Sequence, residues 1–216
     1  MAAEFLGTLL LLAAVVGSGI MGERLSGGNV AIALLANTLA TGAALIAIIL
    51  AFGPVSGSHL NPAVTLVGVW LREISWRDAV AYIAAQITGA FSGVAAAHLM
   101  FGASLFSASV HARSGGAQIF SEFVATFGLL AVIWGCVRTR PAVVPFAVGT
   151  YITAAYWFTA STSFANPAVT LARSATNTFA GIQPAGVLPF VVAEVAGAFA
   201  ATLLFEWLMP RPMGDL

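Results

Sequence analysis

The run Asn61-Pro62-Ala63-Val64-Thr65-Leu66 returns unchanged as Asn166-Pro167-Ala168-Val169-Thr170-Leu171. A polar lead-in precedes each copy, Gly57-Ser58-His59 in the first and Ser161-Thr162-Ser163 in the second. Asn is a favoured helix N-cap, and Pro is favoured at the first helical position because its missing N–H is not needed there. Ala is small and helix-favouring, so two such starts can approach closely. Each copy opens an apolar piece, 61–71 and 166–176. Ten helical residues cover about 15 Å, half of the roughly 30 Å of bilayer hydrocarbon. The two pieces read as re-entrant half-helices. Their polar lead-ins can lie at membrane depth only if they line a wet cavity.

Working outward, the chain around these pieces is far too apolar for water. Apolar residues make up 60% and charged residues 7%, against about 25% charged in soluble domains. Six stretches are long enough to span a bilayer: 4–21, 30–51, 79–101, 119–137, 142–160 and 186–209. They are too long and too uniformly apolar for barrel strands. Residues 5–16 lack the Lys or Arg of a signal-peptide n-region and are read as part of the first span. The fold class expected is an all-α membrane protein with six transmembrane helices plus two half-helices. The net charge is zero and all eight basic residues are Arg, so no basic patch invites nucleic acid. The one cysteine, Cys136, excludes an internal disulfide or a multi-Cys metal site and reads as a buried filler. No cofactor or metal site is expected.

Other matches keep the same order around the repeated motif. Glu4-Phe5 and Thr8 correspond to Glu122-Phe123 and Thr126, and Gln86-Ile-Thr-Gly-Ala-Phe91 to Glu194-Val-Ala-Gly-Ala-Phe199. Each half holds three spans, so the second enters the membrane inverted relative to the first. The chain reads as one channel domain, 1–216, of inverted repeats at about 1–102 and 117–211. Arg72, Arg77, Arg138, Arg140 and Arg211 fall on one side of six spans, and Arg24, Arg113 and Arg173 on the other. That bias puts both termini in the cytoplasm.

Two half-helices entering from opposite faces would meet near the midplane, with Asn61 and Asn166 capping them and their amide NH₂ groups facing a lumen. Each helix N-terminus carries about half a positive charge. Two aimed at one place repel cations and protons while orienting a neutral oxygen. Glu4, Glu122 and Glu194 lie within spans, where charge is costly and marks function. They read as scaffold groups bonding the irregular backbone before each half-helix. Gln86 at one matched position speaks against a proton relay. Gly89 and Gly93, matched by Gly197 and Ala201, suit close helix crossing.

On these motifs the whole chain resembles the aquaporin and aquaglyceroporin family, the major intrinsic proteins. The stretch Ser56-Gly-Ser-His-Leu-Asn-Pro-Ala-Val-Thr65 is typical of it. The resemblance implies a right-handed bundle, one pore per subunit, a homotetramer, and His59 at the cytoplasmic vestibule. In most of the family Arg follows the second Asn-Pro-Ala; here Val169 does. Counting by resemblance, Thr41, Ala154 and Ser163 complete the outer selectivity filter with Val169, giving a wide, uncharged ring. A register shift of up to one turn at Ala154 brings in Tyr156, Trp157 or Phe158 instead. Arg173, four residues beyond Val169, shares its helix face. It either leans back over the pore mouth or is paired or solvated at the half-helix end. Bacterial members lacking the pore arginine are linked to arsenical permeation, and this sequence resembles that branch.

The function expected is passive passage of small neutral solutes across a bilayer: metalloid acids such as arsenite, polyols such as glycerol, and water. A mainly water-selective channel is the alternative. A coupled transporter lacks the expected midplane ion-pair network, and no catalytic Ser-His, Asp pair or His-Glu-x-x-His spacing supports an enzyme. The location expected is a bacterial inner membrane.

Overall fold

The computed structural model describes residues 1–210, so Arg211 lies outside the described residues. Among the described residues eight α-helices form in the order α1 (Ala2–Leu25), α2 (Val30–Ser56), α3 (Pro62–Trp70), α4 (Trp76–Phe101), α5 (Gly116–Val137), α6 (Val144–Phe158), α7 (Pro167–Arg173) and α8 (Pro184–Leu208). Among the described residues there are no strands. The protein is an all-α membrane protein.

Five helices, α1, α2, α4, α5 and α8, have the length and hydropathy to cross a bilayer unaided. The sixth stretch, expected at 142–160, is a 15-residue helix preceded by a 3₁₀ turn, Pro141–Val143. Together they rise about 28 Å at 1.5 and 2.0 Å per residue, close to the hydrocarbon thickness. Pro141 and Pro145 explain the break, since neither supplies an N–H to a regular helix. The other spans are longer than their hydrophobic stretches: α2 continues through Pro54 to Ser56, where Gly57 turns the chain at φ +79°.

The half-helices are shorter than expected, nine residues in α3 and seven in α7. The second ends at Arg173 because the chain beyond it is held by a neighbouring loop. Ser109 N–H donates to the Ser174 carbonyl at 3.0 Å, and Ser107 N–H to the Ala175 carbonyl at 2.9 Å.

Packing reproduces the repeat. The most extensive contacts join α1 with α4 and α5 with α8. Both crossings are glycine-tight: a Cβ added at Gly89 would run into the Phe5 carbonyl, at Gly93 into that of Leu9, and at Gly197 into that of Phe123. A further crossing, α2 with α6, relies on Gly42 and Gly149, each facing backbone of the other helix. Large apolar side chains such as Leu10, Ile32, Leu39, Val192 and Leu203 are exposed on the perimeter, as a lipid-facing surface requires. Cys136 is half-buried, less enclosed than the buried filler expected.

Candidate functional site

The two half-helices meet by their caps. Asn61 Oδ1 accepts the Ala63 N–H at 2.9 Å, and Asn166 Oδ1 accepts Ala168 N–H at 3.0 Å and Val169 N–H at 3.3 Å. Pro62 and Pro167 occupy the first helical positions. Each amide then crosses to the other half: Asn61 Nδ2 donates to the Ala165 carbonyl and Asn166 Nδ2 to the Leu60 carbonyl, both at 2.7 Å. One N–H of each amide is thus spent on the opposite loop, leaving the second for the lumen. Both asparagines line the internal cavity.

The lead-in loops hold a strained backbone. Ser58 and Leu60 have φ +47° and +50°, and their counterparts Ser163 and Ala165 have +49° and +52°. Left-handed φ is uncommon outside glycine and costs of order 1–3 kcal/mol when held. A buried carboxylate holds each loop. Glu4 Oε1 accepts the His59 N–H at 3.0 Å and Oε2 the Leu60 N–H at 2.7 Å. Glu122 Oε1 accepts the Phe164 N–H at 2.9 Å and Oε2 the Ala165 N–H at 2.7 Å. Gln86 Nε2 donates to Glu4 Oε2 at 2.8 Å and to Thr65 Oγ1 at 3.0 Å. Glu194, matched to Gln86, accepts from Thr170 Oγ1. All four side chains are fully buried. Neutralising and fixing unpaired backbone N–H groups in a low-dielectric interior accounts for carboxylates at this depth.

A cavity of about 210 Å³ runs alongside. At one end it is lined by Glu73, Val137, Gly57 and His59, at mid-depth by Asn61 and Asn166 among Leu11, Val15, Leu45 and Ile133, and at the other end by Thr41, Tyr156, Ser163, Val169 and Arg173. His59 is held by Nδ1 against Thr65 Oγ1 at 3.1 Å and packs edge-on against Tyr82, ring centroids 5.4 Å apart.

Thr41, Ser163 and Val169 line the same cavity, but Ala154 does not join them. It is exposed on the outer face of α6, absent from the cavity wall, and Tyr156 and Ile152 face inward instead. The shift is a matter of helix phase: two residues turn a helix by about 200°, so a two-residue offset exchanges inside for outside. Tyr156 Oη lies 3.4 Å from Thr41 Oγ1. An aromatic side chain therefore lines the cavity beside Thr41, where the small Ala154 was expected.

Arg173 is not solvated at the half-helix end. It is 1% exposed, lines the cavity, stacks its guanidinium 3.4 Å from the Phe164 ring centroid, and donates from Nε to the Ala180 carbonyl. Tyr156 is one of the alternatives offered by the register shift at Ala154, and two contributors escaped sequence reading, Phe164 and Arg113. Arg113, in the loop before α5, reaches over Phe164 at 5.2 Å. It donates to the carbonyls of Gly181 at 2.9 Å and Ser161 at 3.1 Å, and to Thr162 Oγ1 at 3.2 Å. Burial draws its pKa below the usual arginine value. No periodicity or motif marks a loop arginine of this kind, and only the folded chain brings it to the mouth.

Inverted halves, opposed half-helices with reciprocal asparagine caps and a cavity beside them define a membrane channel for small neutral solutes rather than an enzyme. The sequence profile described as Major intrinsic protein matches residues 1–159. The chain is 55% identical over 207 residues to the aquaglyceroporin AqpS of Rhizobium meliloti (strain 1021), covering 96% of this chain and 88% of that one. It is 32% identical over 211 residues to aquaporin NIP1-1 of Oryza sativa subsp. japonica, covering 94% and 72%. The X-ray structure of the aquaglyceroporin from Plasmodium falciparum shares the fold, with a TM-score of 0.74 at 21% identity, covering 97% of this chain and 95% of that one. The chain belongs to the major intrinsic protein family: it is a multi-pass membrane protein and a passive channel, not an enzyme.

Proposed function

We propose that this channel passes polyols such as glycerol and undissociated metalloid acids such as arsenite, together with water, through an outer ring of Thr41, Tyr156, Ser163 and Val169. The observation that carries the reading is Val169, which lines the cavity at the position directly after the second Asn-Pro-Ala. A valine there neither fills the ring nor brings a fixed charge, so a solute bulkier than water is not excluded at that point. The name aquaglyceroporin borne by the rhizobial relative accords with it. The opposed ends of α3 and α7, with Asn61 and Asn166, act as the barrier to cations and protons. His59 sits at the inner vestibule, and Glu4, Gln86, Glu122 and Glu194 keep the two loops in register. One domain of two inverted repeats, about 1–102 and 117–211, assembles as a homotetramer in a bacterial inner membrane with both termini in the cytoplasm.

A mainly water-selective channel is the second reading, favoured by the inward-facing Tyr156. Stopped-flow light scattering on proteoliposomes separates the two. We expect swelling in glycerol and arsenite gradients, and a fall of about tenfold in glycerol flux, with water flow much less affected, in Val169→Arg. A tenfold fall corresponds to about 1.4 kcal/mol on the barrier. Water flow without swelling in either solute would overturn the proposal, and unchanged glycerol flux in Val169→Arg would remove Val169 from the constriction.

A further inference from the structure

The outer end of the cavity holds more positive charge than neutral-solute passage uses. Arg113 and Arg173 lie on the same Phe164 ring, 5.2 and 3.4 Å from its centroid. Among the described residues their hydrogen-bond partners are main-chain carbonyls and the Thr162 hydroxyl, not carboxylates. Arginine stays protonated at any ordinary pH, so two cations stand together without an anion bonded to either. Arg173 is buried, and among the described residues its Nη1 has no hydrogen-bond partner; neither has the buried Ser163 Oγ. Both side chains line the cavity. A buried guanidinium N–H left unmatched is costly, more so than a neutral donor. Two unmatched donors of this kind at one end of a solute-sized space are matched by whatever enters it.

We propose that Arg173 Nη1 and Ser163 Oγ form an oxyanion subsite at the outer mouth, which takes small monovalent oxyanions from the outer solution. Arg113 supports it as a second charge behind Phe164 without touching the ligand. The subsite rests on reading the cavity as a conduit. An anion held there sits in the path of neutral solutes and slows them. The net positive charge also repels cations before they reach the paired half-helix ends.

The test uses the full-length protein in proteoliposomes. Glycerol entry is followed by light scattering with external methanesulfonate, which is permanently anionic. Dimethyl sulfone serves as its neutral counterpart, and chloride at equal ionic strength serves as the control. Wild type should be slowed by methanesulfonate and by neither control. In Arg173→Gln, with each rate taken relative to the variant's own uninhibited rate, inhibition should weaken about tenfold, as expected for loss of a charged donor. Ser163→Ala should weaken it to a smaller extent, and decides the question should Arg173→Gln not fold. Equal inhibition in wild type and both variants, or stronger inhibition by the sulfone, overturns the subsite. Thermal unfolding in detergent supplies a readout free of flux: methanesulfonate should raise the wild-type Tm relative to chloride, and not that of Arg173→Gln. A wild type that passes no glycerol but shows this shift would refute the polyol reading and keep the subsite. One that passes glycerol without inhibition or shift would do the reverse.

Discussion

At the scale of single residues, the two halves hold the same loop with different chemistry. Gln86 brings an NH₂ to Glu4, while Glu194 brings a second carboxyl into the matching place. The Gln86 position shows what that place asks for, a donor toward the clamping carboxylate. Glu194→Gln keeps an acceptor for Thr170 Oγ1 and supplies that donor, so it should change stability by less than about 1 kcal/mol. Glu122→Gln is different. It places an NH₂ against one of two backbone N–H groups, those of Phe164 and Ala165, and removes a charge-assisted acceptor. We expect a loss of about 2–3 kcal/mol, read as a lower Tm in detergent and a larger drop in flux than for Glu194→Gln. The clamp residues were legible in sequence because a carboxylate inside an apolar span has few explanations. The filter was legible only in part. Ser163 and Val169 lie three residues to either side of Asn166, so a short count from the motif reaches them. Thr41 and Ala154 both rest on longer counts back from Asn61 and Asn166, along α2 and α6, where one residue shifts a side chain by about 100°; the cavity wall holds Thr41 and not Ala154.

At the scale of elements, the helix crossings are set by backbone touching backbone. Gly197 lies against the Phe123 carbonyl and Gly89 against that of Phe5. Gly197→Ala forces α5 and α8 apart at their main contact, and overpacking of this kind costs about 1–3 kcal/mol. The expected result is a lower midpoint in thermal unfolding followed by tryptophan fluorescence. Gly53→Ala is the comparison, because a Cβ there meets nothing within 4 Å. It should leave the midpoint unchanged or raise it slightly. Hydropathy located every span and matched the start of α2 and the ends of α4 and α5, but missed the other ends. The reason is physical: α2 runs on through Pro54 to Ser56, and the polar Tyr82 Oη at 3.0 Å from the Ser56 carbonyl closes its last turn. A long-range bond of that kind leaves no mark in local composition. The same holds for α7, whose end is decided by a loop that precedes it by more than fifty residues.

At the scale of the whole molecule, the halves are clasped at the centre by two reciprocal bonds, Asn61 to Ala165 and Asn166 to Leu60. Loosening either loop releases the carbonyl on which the other half's asparagine depends. Asn61→Ala and Asn166→Ala should therefore be non-additive, with a coupling of about 0.5–3 kcal/mol in a double-mutant cycle on unfolding. Strict additivity would mean that the halves fold as independent units. The repeat made this meeting legible from sequence, since matched motifs in oppositely inserted halves have only one place to converge. Closure by amide-to-carbonyl bonds was not legible, because the acceptors are main-chain atoms that every residue possesses.

The clasp also has a bearing on how the chain is made. The carboxylate of Glu4 precedes the first loop by 55 residues, so that loop finds its holder already synthesised. The partner of Asn61 arrives 104 residues after it. During translation the leading half must therefore sit in the bilayer with its loop bent, its asparagine amide unmatched and its conduit wall missing. Only the trailing half, which meets a finished template, can complete its own fold on arrival. Assembly is asymmetric in time although the product is nearly symmetric in space, and the leading half is where quality control at the translocon has most to guard.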